Sequence, residues 1–445
     1  MSTTEATRGQ LVRAVVASTV GTSIEWYDYF LYGSAGALAL NQVFLPQKNA
    51  LAGTLEIYAS FFVGFLARPI GGAIFGHFGD RIGRKATLIA TLLLMGIATF
   101  LIGVLPGYAT IGIWGFVILN LLRVCQGLGV GGEWGGSVIL SLEWGSRGRR
   151  GWIASWPQFG VPVGLLLSSA VLALMLGVIS PGAAFVAWGW RVPFLLSIVL
   201  VAIGLYIRLG ILETPVFSRI LEQHRVEPAP FLEAWRLHWR EIILSAFLRL
   251  PEQAPFYILT VFVVTFGLSV HFDRAFIQNA VLVAAAVELF AVPFFGHLSD
   301  RIGRKRMYLI GAGVMGVWGF VYFGLYSLAI PVLAFIVIAV SLLPHAMQYG
   351  PQAALIAENM TGRVRYSAAS LGYQLASIIA GGPSPFIATA IWAGTRNPYA
   401  IGAYILLCAV LGFIATVLIS DRSRADITVE YDDQAQPAKT TTITA

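Results

Sequence analysis

Residues Gly76–Lys85 read GHFGDRIGRK and residues Gly296–Lys305 read GHLSDRIGRK, so eight of ten positions are identical at a constant offset of 220. Each copy lies between two long apolar stretches. What is repeated is therefore a cationic hairpin joining two membrane-spanning helices, and with it a whole half of the chain. An even number of crossings separates the copies, so both halves enter the membrane the same way round, as a parallel repeat requires.

The rest of the composition agrees. The chain has 445 residues, 57% of them hydrophobic and only 11% charged, with a mean hydropathy of +0.76. That much apolar surface does not fit inside a water-soluble core of ordinary proportions, so its solvent is largely lipid. Apolar runs of about 20 residues, enough to cross about 30 Å of hydrocarbon, recur along the whole length. The pattern predicts twelve helices: 12–40, 51–77, 86–105, 111–143, 152–178, 184–211, 241–269, 274–298, 307–328, 331–359, 365–393 and 398–420. The expected fold is an all-α integral membrane protein with twelve transmembrane helices in two six-helix pseudo-symmetric bundles. Residues 1–212 form the first bundle, 213–240 a cytoplasmic central loop with three prolines, 241–420 the second bundle, and 421–445 a disordered tail.

Basic residues set the orientation. With a cytoplasmic amino terminus, 22 Lys and Arg fall on the inside, Arg208 of the central joint among them, and four fall outside: Lys48, Arg191, Arg274 and Arg396. This bias puts both termini in the cytoplasm of a cell-membrane protein. The net charge of +7 is thus a topology signal and points to no nucleic acid. The first apolar stretch is too long for a signal peptide and carries Glu25 and Asp28 in its middle, so it reads as an uncleaved helix. Cys125 and Cys408 fall inside apolar helices and read as small core residues.

Enzyme classes fare poorly. None of the six histidines forms an HExxH pair, no GxSxG occurs, and none of the four lysines follows glycine as a phosphate-binding loop needs. No metal site and no cofactor are expected; the partners expected are a small-molecule substrate, a proton and the lipid bilayer, with the monomer as the working unit.

Ionisable residues inside the spans are the candidates for function. Glu25 and Asp28 share one helical face about halfway across the bilayer, and Tyr29 and Tyr32 extend it. The competing reading is a structural ion pair clamping the first helix to a neighbour. Arg123, Gln126, Glu133 and Ser137 form one polar stripe on the fourth helix. Arg123 lies at the depth of Glu25 and Asp28 and is expected to pair with one of them. Gly127, Gly131 and Gly135, every fourth residue, read as a close-packing face. Arg68, with Tyr58, Phe61 and Phe65 above it, is placed either to bind a substrate anion or to form a gating pair with Glu133. In the second half Arg249 and Glu252 repeat the three-residue spacing, and Glu288, His345, Gln348 and Tyr349 add polar groups. The lone His345 ranks low, since such a histidine is more often a satisfied core residue than a proton carrier. Gln158 and Gln374, early in the fifth and eleventh helices, are candidate cavity hydrogen-bonders. Proton coupling is thus expected at Glu25, Asp28 and Glu133, and substrate binding at Arg123, Gln126, Tyr29, Tyr32, Arg68, Tyr58, Gln158, Arg249, Glu252 and Gln374.

The strings FLARPIGGAIFGHFGDRIGRK (Phe65–Lys85), SIEWYDYFLYG (Ser23–Gly33) and RVCQGLGVGGEWGG (Arg123–Gly136) resemble the metabolite:proton symporters of the major facilitator superfamily. RYSAASLGYQLASIIAGGPSPFIA (Arg365–Ala388) resembles the shikimate-transporter branch, close to the α-ketoglutarate type. The resemblance implies two bundles rocking about a central site and import of a small polar metabolite, a mono- or dicarboxylate, keto acid or shikimate-like acid. A zwitterion such as proline or betaine, or passive facilitation, is the runner-up; the long helical extension frequent in the proline/betaine branch is missing. The resemblance also assigns Asp80, Arg81 and Arg84, with Asp300, Arg301 and Arg304, to a cytoplasmic gate that locks the halves while the site is open outward.

Overall fold

The computed structural model describes residues 8–82, 84–143, 147–209, 230–361 and 364–423. Backbone groups facing lipid have no water to bond, so each crossing satisfies its own by closing into helix. Eleven helical stretches among the described residues are long and apolar enough to cross a membrane. The twelfth is the first helix, Arg8–Ala35, long enough at 28 residues but made more polar by Glu25 and Asp28.

We number them α1 (Arg8–Ala35), α2 (Ala50–Ile82), α3 (Arg84–Val104), α4 (Trp114–Gly131), α5 (Arg150–Ile179), α6 (Phe185–Leu209), α7 (Phe231–Ser269), α8 (Arg274–Ile302), α9 (Arg304–Tyr326), α10 (Pro331–Ala357), α11 (Ser367–Thr395) and α12 (Pro398–Leu418). A short helical segment from Pro230 leads to a kink at His238, where the backbone leaves helical geometry, so the spanning part of α7 begins close to residue 241; residues 213–229, and the tail beyond 423, lie outside the described residues. The stretch expected as one fourth helix breaks at Gly132 and Glu133 and resumes as Trp134–Glu143. The α8–α9 hairpin turns on a single residue, Gly303, at φ +99°, a conformation that a side chain would strain.

Within the first half α1 packs on α5, α2 on α4 and α3 on α6; within the second α7 packs on α11, α8 on α10 and α9 on α12. Glycines set the closest approaches. A Cβ on Gly127 would lie 2.9 Å from that of Ala67, and one on Gly131 would lie 2.8 Å from the backbone nitrogen of Gly72, so α4 runs backbone to backbone against α2. The halves meet through α5 and α8, where a Cβ on Gly151 would come within 2.7 Å of the Gly296 carbonyl oxygen.

Candidate functional site in the central chamber

The α1 face carrying Glu25, Asp28, Tyr29 and Tyr32 is buried, each residue at most 5% exposed. Asp28 Oδ2 accepts from Thr99 Oγ1 of α3 at 2.8 Å. Thr99 in turn accepts from Gln126 Nε2 at 2.6 Å, and Gln126 Oε1 accepts from Arg123 Nη1 at 2.6 Å. Three helices thus hold one relay, Arg123–Gln126–Thr99–Asp28. The direct ion pair expected between Arg123 and Glu25 or Asp28 does not form; the shorter polar side chains of Thr99 and Gln126 fill the gap. Thr99 carried no sequence signal, because a threonine in an apolar helix usually bonds only its own backbone, as this one also does toward Met95.

Arg123 and Arg68 flank the ring of Tyr29. Their guanidinium carbons lie 4.5 Å and 4.1 Å from its centroid. Tyr32 and Phe65 cover the other faces, 4.1 Å from Arg123 and Arg68 respectively. No nitrogen of Arg68 has a hydrogen-bond acceptor of normal geometry, and neither Nε nor Nη2 of Arg123 has one. Rings attract cations through their quadrupoles but leave the N–H groups unspent. The expected Arg68–Glu133 gate is therefore corrected: Glu133, displaced by the α4 break, pairs with Arg208 of α6, both side chains being buried. Arg208 is not a loop residue but an inward-facing anchor, which also hydrogen-bonds the Leu88 carbonyl. The single α4 stripe is consequently split, with Arg123 and Gln126 in the relay and Glu133 outside it. Glu25 Oε1 has no hydrogen-bond partner.

Across the chamber, Tyr257 of α7 stacks on Trp26 with centroids 6.4 Å apart and meets Phe65 edge-on at 5.2 Å. Beside it, a narrow cavity too tight to admit a water molecule is lined from both halves, by Trp26 and Val161 on one side and Arg249, Glu252, Gln253 and His345 on the other. Arg249 is not a free anion receptor. Its Nε lies 3.4 Å from Glu252 Oε2, its Nη1 donates to the Tyr373 carbonyl at 2.7 Å, and it covers the Tyr373 ring at 3.3 Å. Glu252 also accepts from Gln352 Nε2 at 3.0 Å. His345, ranked low from sequence, stands between two buried acids: Nδ1 contacts Glu288, and Nε2 lies 3.5 Å from Glu252.

The remaining candidates join the halves and do not line the cavity. Gln158 accepts from Trp134 Nε1 at 3.1 Å and donates to Gln352 at 3.4 Å. Gln374 Nε2 donates to the Gly131 carbonyl at 3.3 Å, and Trp134 stacks on Tyr373 at 3.8 Å. Toward the opposite face Tyr58 Oη lies 3.0 Å from Thr265 Oγ1. At the hairpin face Asp300 accepts from the backbone N–H groups of Gly151 and Trp152 and is held by Arg304 at 3.1 Å. Arg304 also meets Glu358 at 2.8 Å, and Arg150 meets the same acid from the other half at 3.6 Å. Sequence reading missed Glu358 and Arg150, which belong to no repeated string. Arg301 is exposed. The side chains of Asp80, Arg81 and Arg84 lie outside those described.

Comparison with known proteins agrees with this architecture. The shikimate transporter of Escherichia coli (strain K12) is 38% identical over 422 residues, covering 93% of this chain and 95% of that one. The proline/betaine transporter of the same strain is 31% identical over 439 residues, covering 93% and 84%. The crystal structure of a D-xylose-proton symporter superimposes with a TM-score of 0.72 at 18% identity, over 92% of this chain and 97% of that one. The sequence profile of the Major Facilitator Superfamily matches residues 19–381 and 256–441. With twelve helices in two repeated halves around a shared chamber, the chain belongs to that superfamily.

Proposed function

We propose that this protein is a secondary active transporter that imports a small organic anion by proton symport, the two halves rocking about the central chamber. The observation that supports it is Tyr29 held between two buried arginines, one of them tied to Asp28 by the Gln126–Thr99 relay. Unspent guanidinium N–H groups in a buried chamber suit a carboxylate, which accepts them in pairs. When an anion draws Arg123 off Gln126, the relay slackens, Asp28 loses its link to a cation and takes up a proton. Substrate and proton then load together, and less uncompensated charge passes through the closed state.

A zwitterion is the second reading. The rings of Trp26, Tyr29, Phe65 and Tyr257 meet around one point, a geometry that also suits a quaternary ammonium group, and a proline/betaine transporter is among the relatives. Uptake into proteoliposomes decides between them, using labelled shikimate, 2-oxoglutarate, proline and glycine betaine with and without an imposed pH gradient. Gradient-driven accumulation of an acid supports the proposal; accumulation of only proline or betaine supports the second reading. Asp28→Asn should lower proton-driven accumulation while leaving exchange. Undiminished accumulation in both Asp28→Asn and Glu25→Gln would overturn the coupling scheme.

The basic-residue bias supports a cytoplasmic location for both termini. Because one chain supplies both walls of the chamber, the monomer is the proposed working unit, with no enzymatic activity of its own.

A further inference from the structure

The relay on the first half leaves a second set of buried ionisable groups unused. Glu252, Glu288 and His345 come from α7, α8 and α10, and their side chains are 3%, 0% and 1% exposed. Phe256 and Tyr349 both stack on the His345 ring, 4.3 Å and 4.9 Å away. These contacts hold the ring with its two nitrogens aimed at the two acids. Arg249 of α7, Gln352 of α10, Tyr308 of α9 and Tyr373 of α11 face the same cluster.

Formal charges show what this arrangement requires. Arg249 offsets Glu252. Glu288, with a neutral imidazole, would then leave one negative charge uncompensated in a fully buried place, which is expensive. One added proton, shared by His345 and Glu288, brings the cluster to neutrality. That proton has one direction of exit. Glu288 lies behind His345, whereas His345 and Glu252 line the cavity opposite Trp26 and Val161.

We propose that Glu252, His345 and Glu288 form a second proton-binding site on the wall contributed by the second half, exchanging one proton through His345 with the central cavity when the halves part. Only the further statement that this proton travels with substrate rests on the transport reading above. His345 Nε2 faces Glu252 and Nδ1 faces Glu288, so a proton accepted at one nitrogen is matched by one released at the other. Glu252 is steadied by Arg249 while this happens.

Two measurements test this, on full-length protein in lipid. The first uses no substrate: infrared difference spectra between about pH 5 and about pH 9 in wild type, Asp28→Asn, Glu288→Gln and the double variant His345→Gln/Glu288→Gln. Imidazole and carboxyl bands that persist in Asp28→Asn and vanish in the double variant support the proposal. Unchanged bands in the double variant overturn it. Glu288→Gln keeps the cluster neutral with an uncharged imidazole, so it serves if the double variant does not fold, and it should lose the same bands. The second is proteoliposome uptake with shikimate, 2-oxoglutarate, proline and glycine betaine. With about one pH unit imposed, each coupled proton multiplies accumulation by about ten. Glu288→Gln should lose that factor while exchange stays within about twofold. An unchanged accumulation ratio overturns proton travel. If wild type couples none of the four to protons, the transport reading fails while the infrared result still decides the site.

Discussion

Asp300 and Gly151 stand 149 residues apart and on different halves, yet the carboxylate of one accepts the backbone N–H of the other at 2.9 Å. The Trp152 N–H completes the pair at the same distance. A carboxylate thus sits on the amino end of α5, where the helix dipole and unpaired N–H groups favour negative charge. Asp300→Asn keeps the size but removes the charge, at a cost of about 1 kcal/mol or about a fivefold shift toward opening at this face. Spin labels at the exposed positions Arg149 and Arg301 should report a larger population of long distances. An unchanged distance distribution would leave the contact without a gating role.

The same face should respond to pH through Glu358. This acid lies one residue past the end of α10, and burial pushes its carboxyl up to about 7, against the pull of Arg304 and Arg150. Opening the face returns it to water and to the ordinary carboxylate range, so the closed arrangement binds its proton more tightly. Closure is therefore fully supported below that ordinary range and loses support as pH rises through about 7. The label distances should lengthen between about pH 5 and about pH 7, and Glu358→Gln, neutral at both, should flatten the response.

Tyr29 separates two roles that a ring and a hydroxyl could play. Its Oη has no hydrogen-bond partner, whereas its ring faces both arginines. Tyr29→Phe should therefore leave substrate affinity within about twofold, and Tyr29→Leu, losing two cation–ring contacts of about 1 kcal/mol each, should weaken it about thirtyfold. Thermal-shift titration across the acids and betaines named above measures both. Equal losses in the two variants would assign the role to the hydroxyl.

Glu133 and Arg208 are a structural pair in this account. Removing one partner strands a buried charge, so Arg208→Gln should cost about 3 to 5 kcal/mol of stability. The double variant Glu133→Gln/Arg208→Gln should recover most of it. Unfolding temperature in detergent checks this; a double variant no more stable than Arg208→Gln would refute the pairing argument.

Much of this was readable along the chain because its signals are local. The repeated hairpins, the apolar runs and the acids of α1 each declare themselves within about twenty residues. What escaped depends on partners far away. His345 and Glu288 are 57 residues apart, and no spacing rule relates them, so a lone histidine in an apolar helix looked inert. Arg208 stood beside a basic loop and was read as topology, although its buried side chain reaches Glu133 across 75 residues. Depth alone made a pair with Glu133 as good a reading of Arg68 as anion binding; the break at Gly132 and Glu133 turned the acid instead toward Arg208 of α6.

Among the described residues, several contacts that bridge the two halves carry no charge: Trp134 on Tyr373, Gln158 with Gln352, Gln374 with the Gly131 carbonyl, Tyr58 with Thr265. The charged bridges at Asp300 and Glu358 are buried away from mobile counterions. A seam of this kind is nearly blind to ionic strength. Such a carrier should cycle at similar speed in dilute and in briny surroundings, its pace set by temperature and by the lipid pressing on its flanks.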